Sequence, residues 1–259
     1  MQVIQSIFKG SFSITTMKII CMPDLVPSIR KWADSSRNLC TLDEISDYWK
    51  AYNIVTFIAN LDSVSSQFST ALDEHERERA MAFKSEYFKN RFIVSRSIAR
   101  IIFQHISATK SPLDIRFGKE KLGRLVVPDL PGVSMSLSYS DNVLAFTLGK
   151  QKVGNDIEFI RPLDMRKIHS IPVFKENIQH EGRGENIELL RQWTLIESYA
   201  KLHDMHLYPL LEERFQMENA HYISYLINSH YVLSVASDHP MTKEIVLRIK
   251  PENWQKDFP

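Results

Sequence analysis

The sequence predicts an α+β chain of two similar lobes, each a helix packed on an antiparallel sheet. Three observations carry this. Apolar residues recur at helical spacing over two long stretches, 87–105 and 185–203. Each stretch is followed by short runs rich in β-branched and aromatic residues. Breaks containing Pro, Gly or Asn separate those runs, as hairpin connections require. The length of 259 residues suits one large domain or two small ones, and 44% hydrophobic residues with 24% charged ones exclude a disordered chain.

Taken in order, residues 1–50 read as an N-terminal extension of unknown role. Pro23 and Pro27 interrupt any early helix, and Thr41-Leu-Asp-Glu44 has the form of a capping box ahead of Ile45, Tyr48 and Trp49. Met17 offers an alternative start. Residues 53–59 are β-branched and aromatic and predict a strand. Residues 72–83 form a charged amphipathic helix, and 87–105 a second one with Phe88, Phe92, Ile98 and Ile102 on its apolar face. Strands are expected at 114–117, 125–127, 135–139, 143–148 and 152–157, with turns at Pro128, Pro131-Gly132 and Asp141-Asn142. The helix at 185–203 carries Leu189, Leu190, Trp193, Ile196 and Ala200, and strands at 221–227, 231–236 and 244–249 complete the chain.

Composition removes several classes of function. Lys and Arg number 32 against 31 Asp and Glu, a net charge of +1 that speaks against nucleic-acid binding. None of the 8 glycines forms a G-x-G-x-x-G or a P-loop, so dinucleotide and Walker-type phosphate sites are excluded. Cys21 and Cys40 make no disulfide framework or zinc spacing, which fits a reducing compartment. Residues 3–22 are interrupted by Lys9, Lys18 and polar residues, and read as neither a membrane span nor a signal peptide. A cytoplasmic protein without nucleic-acid or membrane partners is expected.

Two acidic constellations could carry chemistry. In Gly154-Asn-Asp-Ile-Glu158, positions i and i+2 of a strand share a face, so Asp156 and Glu158 project together while Ile157 turns to the core. Adjacent carboxylates repel, and a cation such as Mg²⁺, which accepts one or two carboxylates and keeps waters, relieves that repulsion. Glu197 and Lys201 stand at i and i+4 on one helix face, which taken alone describes a surface ion pair. Arg77, Arg79, Arg91, Arg96 and Arg100 line two successive helices. Most of these read as solvated charge, although a phosphate site needs only two or three to converge. His203 and His206 lack a third ligand and read as exposed side chains.

In this order the pieces resemble the 4′-phosphopantetheinyl transferases of the Sfp type, over about residues 53–236. Val153-Gly-Asn-Asp-Ile-Glu158 is similar to that family's (V/I)-G-(V/I)-D-(I/V)-E. Trp193-Thr-Leu-Ile-Glu-Ser-Tyr-Ala-Lys201 is similar to W-(S/T)-x-K-E-(A/S)-x-x-K. The run from Leu72 resembles L-S-x-x-E-x-x-R-A-x-x-F and its following helix. Gly123-Arg-Leu-Val-Val-Pro128 stands in place of G-(K/R)-P-x-x-P, and Ser136-Leu-Ser-Tyr-Ser140 in place of N-(I/L)-S-H-S. Asn155, Ile196, Leu125 and Tyr139 depart from the pattern, whereas Asp156, Glu158, Glu197 and Lys201 keep it.

The resemblance implies two pseudo-symmetric lobes, 51–157 and 158–259, with coenzyme A in the cleft between them, acting as a monomer. It implies transfer of the phosphopantetheine arm to a serine of an apo acyl or peptidyl carrier protein, with release of adenosine 3′,5′-bisphosphate. Mg²⁺ would be held by Asp156, Glu158 and Glu197, with Glu197 and Lys201 as the catalytic pair. Arg79, Arg91, Gly123, Arg124, Ser138, Tyr139 and Lys201 would hold coenzyme A. The departures motivate a second reading, a carrier- or coenzyme A-binding protein that has lost efficient transfer.

Overall fold

The computed structural model describes residues 29–32, 38–61, 71–164, 168, 170–174, 183–212 and 217–250. Met17, Cys21, Pro23 and Pro27 lie outside them. The described elements are β1 (Arg30–Trp32), β2 (Leu39–Cys40), α1 (Ile45–Ala51), β3 (Ile54–Asn60), α2 (Glu74–Met81), α3 (Glu86–Ser107), β4 (Gly118–Lys119), β5 (Leu125–Val126), β6 (Ser134–Ser140), β7 (Val143–Gly149), β8 (Val153–Phe159), α4 (Arg183–His203), β9 (His221–Ile227), β10 (Tyr231–Ser237) and β11 (Glu244–Ile249).

Two sheets result. One has four strands in the order β1-β9-β10-β8, the other five in the order β2-β11-β3-β7-β6. Most pairs are antiparallel, but β1 joins β9, and β11 joins both β2 and β3, in parallel. Each sheet carries a helix, as the sequence predicts. Ile98, Ile102 and Phe103 of α3 share a core with Phe57, Phe146 and Leu148 of the five-stranded sheet. Helix α4 lies on β8 and β10, and its Leu189, Ile196 and Tyr199 form a separate core with Phe174 and Leu210. A third cluster, with Ile54, Ala145, Val153, Ile157 and Leu233, joins the sheets face to face. Among the described residues no helix is long and apolar enough to cross a membrane.

Three expectations change. Residues 114–117 do not form a strand. Ser111 and Asp114 cap a 3-10 turn at Pro112–Asp114, whose fixed proline φ starts a turn rather than a ladder. Strand β11, placed by sequence with the second stretch, pairs with β3 of the first, and the expected division at 157/158 falls inside β8. Within 1–50, β1 and β2 are edge strands of the two large sheets, and the start of α1 follows them.

The charges on α2 and α3 also differ from expectation. Arg100 is fully buried. Its guanidinium donates to Glu76 Oε2 at 2.8 Å, to Asp73 Oδ2, and to the carbonyls of Pro112 and Ile115. Asp73 and Glu76 also form the capping box that starts α2. One side chain thus ties the start of α2 to α3 and to the following turn.

Candidate active site

Strand β8 presents its two sides to different neighbours. Val153, Asn155, Ile157 and Phe159 face the five-stranded sheet, and Asn155 donates to Ala145 O at 3.0 Å and to Thr147 Oγ1 at 2.9 Å. Gly154, Asp156 and Glu158 face α4. A Cβ on Gly154 would lie 2.0 Å from Ser198 O and 2.6 Å from Leu202 N, so only glycine lets the helix approach this closely. That approach sets Glu197 and Lys201 beside the carboxylates of β8.

Lys201 Nζ donates to Asp156 Oδ1 at 2.8 Å and stands 3.8 Å from Glu197 Oε2. Ser138 Oγ donates to the same Asp156 oxygen at 2.6 Å. Asp156 Oδ2 is buried and has no hydrogen-bond partner. Glu158 Oε2 accepts from Ser140 Oγ at 3.2 Å and from Arg161 at 3.0 Å. Burial and the adjacent Asp156 carboxylate push the Glu158 pKa upward, against the pull of Arg161. Burial, then Asp156, push Glu197 up to about 8, partly opposed by Lys201. Burial disfavours the Lys201 ammonium, but Asp156, Glu197 and Glu158 together hold its pKa above the ordinary value.

These oxygens are hard donors with mutual repulsion, and one is orphaned, which suits a cation such as Mg²⁺. As they stand, Lys201 and Arg161 supply the neutralising charge. Among the described residues no three acidic, His or Cys side chains are gathered tightly enough to enclose an ion.

An open cavity of about 480 Å³ adjoins this group. Glu197 and Lys201 line one side, and Gly123, Arg124, Tyr139 and Arg96 line others. Arg124 is committed to structure: it donates to Leu202 O at 2.8 Å and Val153 O at 3.2 Å, and to Ser134. Tyr139 donates to Ser95 Oγ at 3.1 Å, and the Arg91 guanidinium covers its ring at 3.9 Å. Arg79 is exposed on α2 over the Phe92 ring. Neither Arg79 nor Arg91 is among the residues lining the cavity.

Arg96 is the basic residue that the sequence reading left among surface charges. Its Nη1 is buried without a partner, its Nε is 3.9 Å from Glu76, and burial lowers its pKa. Lys119 is close enough to feel both Arg79 and Arg96. The signal was legible: Phe92, Arg96 and Arg100 recur at i+4 on the buried stripe of one helix.

The shifted pKa of Glu197 has a checkable consequence in metal-free protein. Its folded value, about 8, exceeds the ordinary 4.5. The stability linked to its proton is therefore present at acid pH and lost as pH rises through that window. The Tm should fall between pH 5 and about 8, and Glu197→Gln should flatten the profile. Equal slopes in the two proteins would remove Glu197 as the cause.

No protein-family model matches the sequence. Two curated proteins are similar to it. A 4′-phosphopantetheinyl transferase Sfp of Bacillus subtilis strain 168 is 22% identical over 141 residues, which cover 53% of this chain and 62% of that protein. A 4′-phosphopantetheinyl transferase ffp of Bacillus subtilis is 22% identical over 130 residues, 49% of this chain and 57% of the relative. The matched region thus spans about three-fifths of each relative. A comparison covering about half of the chain thus points to the same family as the motifs do.

Proposed function

We propose that the chain transfers the 4′-phosphopantetheine arm of coenzyme A to a serine hydroxyl of an apo acyl or peptidyl carrier protein, releasing adenosine 3′,5′-bisphosphate. The observation that carries the reading is the meeting of Asp156, Glu197 and Lys201, with Glu158 as their charged neighbour, beside a cavity lined by Glu197, Lys201 and Arg96. Asp156, Glu158 and Glu197 would hold Mg²⁺. Bound there, the ion supplies charge neutralisation of a pyrophosphate.

The chain's own residues account for the remaining chemistry. Glu197 would accept the proton of the attacking serine, as a carboxylate within reach of the reacting hydroxyl can. Lys201 is kept protonated by its carboxylate neighbours and stabilises the leaving phosphate. Arg96 lines the cavity and adds a positive charge beside the nucleotide phosphates. Gly123, Arg124 and Tyr139 shape the walls, and Arg79 and Arg91 add positive potential.

The direct test is incubation with Mg²⁺, coenzyme A and a panel of apo carriers, read by mass spectrometry. A gain of one phosphopantetheine arm is the expected result, and no gain on any carrier would sink the reading. Binding of coenzyme A without any product would favour the carrier- or coenzyme A-binding alternative instead.

Arg96→Met separates recognition from stability. Losing a charge-assisted hydrogen bond of about 1.5–3 kcal/mol should weaken adenosine 3′,5′-bisphosphate binding about 10- to 100-fold in calorimetry. The Tm should hold or rise, because the variant removes a buried unpaired nitrogen. Unchanged affinity would return Arg96 to a packing role.

A further inference from the structure

Strand β8 is the edge of its sheet, and β6 is the edge of the other. The two run alongside each other without a backbone ladder. Instead, every second residue of β6 is serine, and the four hydroxyls accept the outward N–H groups of β8 in step. Val153 N donates to Ser134 at 3.1 Å, Asn155 N to Ser136 at 3.0 Å, Ile157 N to Ser138 at 3.4 Å and Phe159 N to Ser140 at 2.8 Å. A serine hydroxyl has two lone pairs and one proton. The main chain of β8 uses a lone pair at each rung, so the proton is free for another acceptor.

At the last two rungs that acceptor is a carboxylate. Ser138 donates a hydrogen bond to Asp156 Oδ1 and Ser140 donates one to Glu158 Oε2. Lys201 and Arg161 bind those same two oxygens. Asp156 is left with Oδ2 buried and unpartnered. The first two rungs have no carboxylate. Ser134 and Ser136 satisfy the same kind of main-chain donor and so act as internal controls.

We infer that Ser138 and Ser140 are positioning residues that fix which oxygen of Asp156 and of Glu158 is offered to a divalent cation. The inference rests on the reading of these carboxylates as a cation site. It assigns Ser138 a place behind the carboxylate rather than on coenzyme A. The hydroxyl acts twice: it anchors the strand, and it holds the side chain's rotation so that the cation meets an oriented donor. Groups that orient metal ligands in this way typically change affinity 10- to 100-fold.

The test is Mn²⁺ binding to the intact protein, measured by electron paramagnetic resonance alongside Tm. Ser138→Ala and Ser140→Ala should each bind Mn²⁺ about tenfold more weakly or worse. Ser138→Thr, which keeps the hydroxyl, should restore affinity. Ser136→Ala should lower the Tm by a similar amount to Ser138→Ala but bind Mn²⁺ like the parent. If Ser138→Ala does not fold, Ser140→Ala at the end of the strand carries the comparison. Parental affinity in both alanine variants would overturn the positioning role while leaving the cation site standing. A parent protein that binds no Mn²⁺ would overturn both.

Discussion

Asp156→Asn is expected to lower phosphopantetheine transfer about a thousandfold or more, the result of losing several kcal/mol of charge stabilisation at the reacting phosphate. The substitution keeps volume and still accepts from Ser138. It removes the charge that holds Lys201 at 2.8 Å and the buried oxygen that has no protein partner. Stability should change little, because Lys201 retains Glu197 at 3.8 Å and is partly exposed. Single-turnover assays on an apo carrier, with thermal melts of the same preparation, check both halves. Near-parental turnover would mean that the carboxylates of β8 are only a structural ion-pair cluster.

Arg100→Met should produce the largest loss of stability. The guanidinium is wholly enclosed, and its removal leaves Glu76, Asp73 and two carbonyls without their donor. Breaking a buried pair from one side costs about 3–5 kcal/mol. That shift would be read directly as a lower urea midpoint. Arg100→Lys should fall between, because an ammonium restores charge but cannot span four acceptors with a planar fork. A loss under about 1 kcal/mol would match the solvated-surface reading instead.

That contrast marks what the sequence made legible. Strands 221–227 and 244–249 appear with the predicted bounds, because alternation and turn residues define a strand locally. The partner of a strand is not local, so β11 could not be assigned to β3 in advance. Alternation predicted that Asp156 and Glu158 share a face, and the structure sets them against Glu197 and Lys201. It did not predict that Asp156 and Glu158 would accept hydrogen bonds from Ser138 and Ser140, although the run Ser134-Met-Ser-Leu-Ser-Tyr-Ser140 displayed the period. Serine is read by default as solvated, and burial here depends on a strand that arrives from beyond the next hairpin. Arg96 and Arg100 were misread for the same reason: charge suggests solvent until packing shows otherwise.

The serine rungs also decide how the chain meets other chains. A strand edge with free N–H groups is a template on which a neighbour can add its own strand. Here the outward donors of β8 are already occupied by the serine hydroxyls of β6. The opposite edges are β1, of 3 residues, and β2, of 2, which are too short to seed a ladder. Strand addition at β8, β1 or β2 is therefore disfavoured. The amides of Val153, Asn155, Ile157 and Phe159 should exchange with deuterium as slowly as those facing β10, and fast exchange would show that the rungs open in solution.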